Sequence, residues 1–230
     1  MSNFFVDNPD ILFHLQHMDL DQVIRLKEQD FIQYGQFGHA PADVPDALDN
    51  YQKVLDIVGD IAGDFVAPRA EAVDREGARL HDGRVSYAQG TRQALNRLSQ
   101  ADLMGFTLPR EYGGINMPKT VYSMAIEMIS RADASLMNLF GLQEIADTIC
   151  KFGSKEQKEH YLPKFCSGET SGAMALTEPD AGSDLQSIAL RAEQGEDGQW
   201  VLNGVKRFIT NGCADVSLVM ARSESGISGG

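Results

Sequence analysis

The sequence has few cysteines and no long apolar run. Its three cysteines, Cys150, Cys166 and Cys213, are widely spaced and form no CxxC pair, which argues against a disulfide framework and a zinc ribbon. No apolar run reaches the roughly 18 residues needed to cross a bilayer, so no membrane partner is expected. Residues 1–10 carry two Asp and no Lys or Arg, which argues against a signal or transit peptide. We therefore expect a reduced, cytoplasmic setting.

Basic residues are also scarce. Lys and Arg number 20 against 33 Asp and Glu, which gives a formal net charge of -13. A charge of this sign repels phosphate backbones at long range, so no nucleic-acid partner is expected. An anionic cofactor or a CoA thioester is not excluded, because the backbone N–H groups of a local turn bind phosphate against an unfavourable overall field.

The common nucleotide and catalytic motifs are missing. The sequence contains no GxGxxG after a predicted strand, no GxxxxGK[ST] and no GxSxG. The close pair His14 and His17 has no HExxH context, so no metal site is predicted there. The function must therefore be sought in other segments.

Apolar periodicity predicts a helical first part. Hydrophobic residues make up 43% of the 230-residue chain, enough for a sizeable core. A short helical segment is predicted within 11–26, and a loop rich in Gly and Pro follows over 35–45. The apolar stripe from Leu48 to Phe65 predicts a long helix that ends near Pro68. Further helices are predicted over 91–104, 120–130, 136–150 and 155–165.

The pattern changes after Gly172. Short strands are predicted over 188–194, 199–202, 205–210 and 216–221. The predicted connections are residues 195–198, between the first two strands, and Asn203-Gly204, a two-residue hairpin turn before the third. The predicted fold class is α+β, an all-α N-terminal helical bundle followed by the beginning of an antiparallel β-domain. The predicted division is a helical extension and loop at 1–45, a helical domain at 46–172 and an incomplete β-domain at 173–230.

The segment from Ala173 to Asp184 lies where helices give way to strands. In it, Pro179 stiffens a turn, Gly182 allows a ligand to approach the backbone, and Ser183 offers a hydroxyl and an N–H. These residues could seat a pyrophosphate. They could instead form a capping box between Ser183 and Gln186. The residues alone favour the capping box.

A second segment, FITNG, spans 208–212. On a strand, alternation would place Phe208 and Thr210 on one face and Ile209 on the other. An aromatic ring and a hydroxyl on one face could meet a planar heterocycle, although both residue types are ordinary in strands. Taken alone, this segment proves little.

Together, TEPDAGSD at 177–184 and FITNG resemble the acyl-CoA dehydrogenase family. Similar phrases occur at VAPR with DREG, at GFTLPREYGG and at FGSKEQKEHYLPKFCSGE, beginning at Val66, Gly105 and Phe152. The resemblance covers roughly residues 46–222, and TEPDAGSD is a specific signature. Where the family often has an aromatic residue at position 174 this chain has Met, and where it often has Trp at position 208 it has Phe.

The resemblance implies an N-terminal helical domain, a middle β-domain and a C-terminal helical domain, with FAD held between the last two. Matched by motif, the residues that would line FAD are Met174, Leu176, Thr177, Gly182 and Ser183. Ser183 would also contact the CoA substrate. The residues that would contact the flavin ring are Phe208, Ile209 and Thr210, with the Thr210 hydroxyl near flavin N5.

The implied reaction is oxidation of an acyl-CoA thioester to the trans-2-enoyl-CoA. A carboxylate removes the α-proton while the β-hydrogen leaves as hydride. The family's base is a Glu of the C-terminal domain, so the base is expected beyond Gly230. No catalytic residue is therefore assigned within residues 1–230, which are expected to be inactive alone.

The resemblance also bears on Glu178 and on the partners. Glu178 belongs to the turn and is expected to have a structural role. Electron-transferring flavoprotein is implied as the acceptor, and the complete enzyme is implied to be a homo-oligomer.

Two other functions stay open at this stage. A flavin acyl-CoA oxidase or a flavin monooxygenase could use the same scaffold, because the residues do not report how reduced flavin is reoxidised. A non-catalytic interaction module would also fit, since the base and part of the sheet are missing.

Overall fold

A computed structural model describes residues 2–223, in which helices are followed by short strands. The helices are α1 (Pro9–His17), α2 (Asp21–Lys27), α3 (Val44–Asp60), α4 (Ala70–Glu76), α5 (Gln89–Gln100), α6 (Lys119–Ala132), α7 (Ala134–Leu142), α8 (Ile145–Phe152) and α9 (Lys155–Ser167). The strands are β1 (Arg79–His81), β2 (Arg84–Ser86), β3 (Gly172–Ala175), β4 (Arg191–Gln194), β5 (Trp200–Asn203) and β6 (Val216–Val219). No helix within 2–223 is long and apolar enough to span a bilayer.

The α+β prediction is confirmed, with differences in how the strands pair. Strands β4 and β5 form an antiparallel hairpin in which Gln194 lies opposite Trp200. Strand β3 pairs with β6 in parallel, with Gly172 opposite Val216, a pairing that the sequence did not predict. The two pairs are joined by one bridge between Arg191 and Arg222.

The predicted domain division, at 45 and 172, stays a prediction. Its third unit runs to Gly230, and residues 224–230 of that unit lie outside the described residues. The expectation that the base lies beyond Gly230 therefore also stays a prediction.

The long helix starts earlier and runs further than predicted. Asp43 caps α3 by accepting a hydrogen bond from the Asp46 N–H at 2.9 Å, so the helix begins just before Pro45. The predicted end near Pro68 is wrong. After Asp60 the chain makes a π-helical turn over Ile61–Val66 and a 3-10 turn over Ala67–Arg69, then continues as α4. Pro68 lies in the first turn of that 3-10 segment, where its missing N–H leaves no helical bond unmade.

Residues 2–43 pack directly on the helical bundle. Two helices, rather than the single predicted segment, put Ile11, Leu15 and Ile24 into the same hydrophobic core as the bundle. This core also holds the fully buried Tyr51 and Phe140. The predicted helix over 136–150 is likewise divided, into α7 and α8. The extension is therefore part of the bundle's packing.

A buried ion pair ties this extension to the GFTLPREYGG segment. The Arg110 guanidinium donates to both carboxylate oxygens of Glu28, at 2.6 and 3.1 Å, and each side chain is only 1% exposed. Lys27 donates to the Thr107 carbonyl at 2.8 Å, and Asn116 donates to the Lys27 carbonyl at 3.2 Å. These bonds join parts of the chain about 80 residues apart.

Two glycines of the long helix accommodate the start of the chain. The Phe4 N–H donates to the Gly59 carbonyl at 3.0 Å. A side chain at Gly59 would bring its Cβ to 2.5 Å from the Phe5 nitrogen, and one at Gly63 would collide with the Ser2 carbonyl. Only glycine therefore lets residues 2–5 lie against this helix.

A second hydrophobic cluster connects the helices to the strands. Leu162 and Phe165 of α9 and Ile149 of α8 form its buried part, and Val216 and Leu218 of β6 pack against it. The β3–β6 pair is thereby fixed on the α8–α9 side of the bundle, which sets the position of the segments that follow β3.

Candidate functional site

The TEPDAGSD segment is a tight turn that directly follows β3. The Glu178 N–H donates to the Ala181 carbonyl at 2.7 Å, and Pro179 and Asp180 are exposed at the tip. The predicted capping box is wrong, because Asp184 and not Ser183 accepts the hydrogen bond from the Gln186 N–H, at 3.1 Å. The Ser183 side chain is exposed and makes no hydrogen bond within the part of the chain that the structure describes.

Glu178 holds the turn from inside. Its buried carboxylate accepts the N–H groups of Ala189 at 2.6 Å and Leu190 at 3.0 Å, and it pairs with the Lys206 ammonium at 2.8 Å. Burial alone would raise the pKa of Glu178, but the hydrogen bonds from Lys206, Ala189 and Leu190 outweigh it and lower this pKa to about 2. The carboxylate is therefore ionised, fully bonded and structural, as expected.

The same contacts bring the FITNG segment beside TEPDAGSD. Lys206 also donates to the Leu176 carbonyl at 2.8 Å, and the Arg207 N–H donates to the Thr177 carbonyl at 2.9 Å. The predicted connection over 195–198 is confirmed, because it joins β4 to β5. The predicted strand over 205–210 is absent, so Asn203-Gly204 is not a hairpin turn.

The predicted alternation of Phe208, Ile209 and Thr210 is therefore also wrong. Phe208 and Asn211 have left-handed backbone angles, with φ of 57° and 55°, which strand residues do not adopt. Phe208 is 84% exposed, whereas Ile209 is half-buried. The segment is thus a turn that presents its aromatic ring outward.

The other predicted cofactor contacts lie around these two turns. Met174 is 38% exposed, and Leu176 and Thr177 are half-buried. Gly182 is exposed, and a side chain there would have Thr177 Cγ2, at 3.8 Å, as its nearest neighbour. Local packing therefore leaves the backbone at Gly182 accessible to a ligand.

Thr210 lines a cavity of about 690 Å³ between the turn and the helical bundle. The other walls come from α4, from the connection between β2 and α5, and from the junction of α6 with α7. At this junction Asp133 caps α7 by accepting the N–H groups of Ser135 at 2.8 Å and Leu136 at 3.1 Å. The lining is mostly apolar, with hydroxyl and amide groups from Ser130 and Asn138 among its members.

The helical wall of this cavity was not predicted from the sequence. The one available signal was Asp133-Ala134-Ser135, an N-cap sequence between the helices predicted over 120–130 and 136–150. A cap indicates where a helix starts and gives no information on what its first turn faces.

Glu178→Gln is expected to lower the free energy of unfolding by about 2 kcal/mol at neutral pH, because Lys206 loses its buried partner. The ordinary pKa of 4.5 falls to about 2 on folding, so the stabilisation is present above pH 4.5 and is lost as the pH falls towards 2. Urea unfolding of the parent and the variant should therefore differ most near pH 7 and converge near pH 2. The exposed Glu193→Gln on β4 is the control, and a pH-independent difference would contradict this account.

Comparison with known proteins covers both parts of the chain. The models "Acyl-CoA dehydrogenase, N-terminal domain" and "Acyl-CoA dehydrogenase, middle domain" match residues 49–169 and 173–230. The 3-methylmercaptopropionyl-CoA dehydrogenase of Ruegeria pomeroyi is 37% identical over 186 residues, which is 76% of this chain and 31% of that protein.

Solved structures show the same similarity. Butyryl-CoA dehydrogenase from Megasphaera elsdenii superposes with a TM-score of 0.66 at 27% identity, over 76% of this chain and 44% of that one. An acyl-CoA dehydrogenase complexed with FAD from Bacillus anthracis gives 0.64 at 30% identity, over 76% and 29%. The chain spans less than half the length of these proteins. It belongs to the acyl-CoA dehydrogenase family.

Proposed function

We propose that this chain supplies part of the cofactor and substrate site of an FAD-dependent enzyme that oxidises an acyl-CoA thioester to the trans-2-enoyl-CoA. The observation that carries the proposal is the cavity in which Thr210, from the second motif, faces the helical bundle. Its volume of about 690 Å³ and its mostly apolar lining are typical of small-molecule sites. The base belongs to a part of a longer protein beyond Gly230, so activity is expected there and not in residues 1–230 alone.

The residues around the two turns fit a flavin dinucleotide. The N–H groups of Gly182 and Ser183 donate no hydrogen bond to any of residues 2–223, so they are free to bind a phosphate oxygen. The exposed Met174 and Phe208 offer apolar surface to an aromatic ring system. We assign to FAD the residues Met174, Leu176, Thr177, Gly182, Ser183, Phe208, Ile209 and Thr210, with Ser183 also contacting the CoA ester.

When bound, the flavin supplies hydride acceptance at N5, which no side chain provides. This chain's own residues bind and orient. The Thr210 hydroxyl makes no side-chain hydrogen bond within residues 2–223 and lines the cavity, where it can donate to a ring nitrogen. Glu178 and Lys206 hold the two motifs side by side.

The proposal includes the partners that the resemblance implies. They are an acyl-CoA substrate, electron-transferring flavoprotein as electron acceptor, and further copies of the same chain in a homo-oligomer. The cytoplasmic setting belongs to the proposal as well.

The full-length protein provides the direct test. It should purify with bound FAD, and its visible flavin absorbance should bleach when acyl-CoAs are added without oxygen. The panel should include straight, branched and thioether-substituted short chains. A protein that binds no flavin, or whose flavin none of the panel reduces, would overturn the proposal. Rapid oxygen consumption with substrate would identify an oxidase instead.

Ser183→Ala is expected to weaken binding of FAD or of the CoA ester by about 1–3 kcal/mol, the contribution of one hydrogen bond to a charged group. Calorimetric titration of both ligands measures the effect. Ser217→Ala, an exposed serine on β6, should leave both affinities unchanged. Unchanged affinities in Ser183→Ala would remove this residue from the site.

A further inference from the structure

Tyr87 makes a contact between the helical bundle and the FITNG turn. This residue lies between β2 and α5 and is half-buried. Its hydroxyl donates to the Asn211 side-chain carbonyl and lies 3.5 Å from the Cys213 sulfur. These partners are 124 and 126 residues away along the chain. Neither Tyr87 nor Asn211 had been assigned a role by its sequence pattern.

Asn211 carries this contact to Thr210, its neighbour in the chain. Its backbone is left-handed, with φ of 55°, a conformation that Asn tolerates better than most residues. Its side-chain amide donates to the Gly172 carbonyl at 2.9 Å. The Asn211 side chain is thus held on one side by the start of β3 and on the other by Tyr87.

A second anchor holds the far end of the turn. Asp215 accepts the Ser171 N–H at 2.9 Å and the Ser171 hydroxyl at 2.8 Å. Both Gly172 and Ser171 belong to the β3 side of the structure, so Tyr87 is the anchor that comes from the helical bundle. Tyr87 therefore adds a contact to the turn from a residue that lies beside the cavity wall.

Tyr87 is itself well placed to act as an anchor. Its carbonyl accepts a hydrogen bond from the Arg92 guanidinium at 2.8 Å, and it lines the same cavity as Thr210. Burial, together with the contact to Cys213, raises the pKa of Tyr87, so the hydroxyl keeps its proton and remains a donor.

We infer that Tyr87 is a positioning residue that orients Thr210 in the cavity by holding Asn211 from the helical bundle. The expected effect of Tyr87 on the reaction rests on the proposed function. Its expected effect on the position of the turn rests on the contacts alone. Both effects can be measured separately.

The first test uses the full-length protein and a double-mutant cycle. Tyr87→Phe keeps the ring and deletes the hydroxyl, so flavin reduction at saturating acyl-CoA should slow about 10-fold with little change in KM. In a Thr210→Val background, Tyr87→Phe should slow flavin reduction by less than about 2-fold, because the two substitutions remove the same contact to the flavin. Equal effects in the two backgrounds, or no effect in either, would overturn the inference. Tyr34→Phe, an exposed tyrosine, is the control.

The second test needs no reaction. Cys213 is exposed, so iodoacetamide alkylates it, and peptide mapping gives its rate separately from that of the half-buried Cys150. Tyr87→Phe should raise the Cys213 rate about 5-fold or more and leave Cys150 unchanged. An unchanged alkylation rate at Cys213, or equal acceleration at both cysteines, would overturn the inference that Tyr87 anchors the turn. A flavin-free parent protein would instead refute the proposed function, while the Cys213 rate still decides on Tyr87.

Discussion

Glu28→Gln is expected to lower the free energy of unfolding by about 3–5 kcal/mol, because it leaves the Arg110 guanidinium buried without its counter-charge. The pair is bidentate and 1% exposed on both sides, so water cannot replace the lost partner. Gln33, whose carbonyl oxygen lies 3.1 Å from Arg110, offers only one neutral acceptor. Chemical denaturation of the full-length protein, followed by helical circular dichroism, measures the loss.

Two further variants show whether the uncompensated charge is the cause. Glu71→Gln breaks an exposed pair with Arg75 and should change stability by less than about 0.5 kcal/mol. The double variant Glu28→Leu with Arg110→Met removes both charges and should be more stable than Glu28→Gln alone. A loss of less than about 1 kcal/mol in Glu28→Gln would mean that the uncompensated Arg110 charge costs little in this core.

Thr210→Val is expected to slow flavin reduction in the full-length protein by about 10- to 100-fold. The variant keeps the shape of the side chain and deletes the hydroxyl of Thr210, the residue that the FITNG turn contributes to the cavity lining. One donor to developing charge in a water-excluded site contributes about 10²- to 10³-fold, and a smaller effect is expected here because Thr210 is exposed. Anaerobic rapid mixing with acyl-CoA gives the rate.

The protein should stay folded and coloured, because Thr210 makes no side-chain hydrogen bond within residues 2–223. Thr148→Val, at an exposed position of α8, is the matched control and should leave the rate unchanged. A rate within about 2-fold of the parent would exclude Thr210 from the flavin contact.

Local patterns predicted the helices well because burial on one face leaves a repeat in the sequence. The stripe from Leu48 to Phe65 is buried or half-buried at every predicted position. Its predicted end failed at Pro68, since the rule against proline assumes an unbroken α-helical ladder and the π-helical turn before it removes that condition.

The strands after Gly172 were predicted less well because distant contacts decide them. A strand over 205–210 satisfies local β propensity, but Lys206 and Arg207 bond to the turn near residue 177 instead. A side chain at Gly204 would come within 2.8 Å of the Leu190 backbone, so this glycine permits a close approach and does not form a hairpin turn.

The two motifs of the candidate site could be recognised in the sequence, whereas the contacts that hold them could not. TEPDAGSD and FITNG are each an unbroken stretch of sequence, so each could be matched to a family. The structure brings the two stretches together. Tyr87 with Asn211, and Glu28 with Arg110, are pairs of ordinary residues separated by 124 and 82 positions. No spacing rule links such positions, so only the folded chain could reveal them.

The glycine surface on the long helix has a consequence for synthesis. Residues 2–5 are synthesised before the helix face against which they lie, because Gly59 and Gly63 follow about 60 residues later in the chain. At about 5–20 residues per second this delay lasts roughly 3–12 s. During that interval Phe4 and Phe5, which are buried in the folded chain, lack the helix surface that covers them.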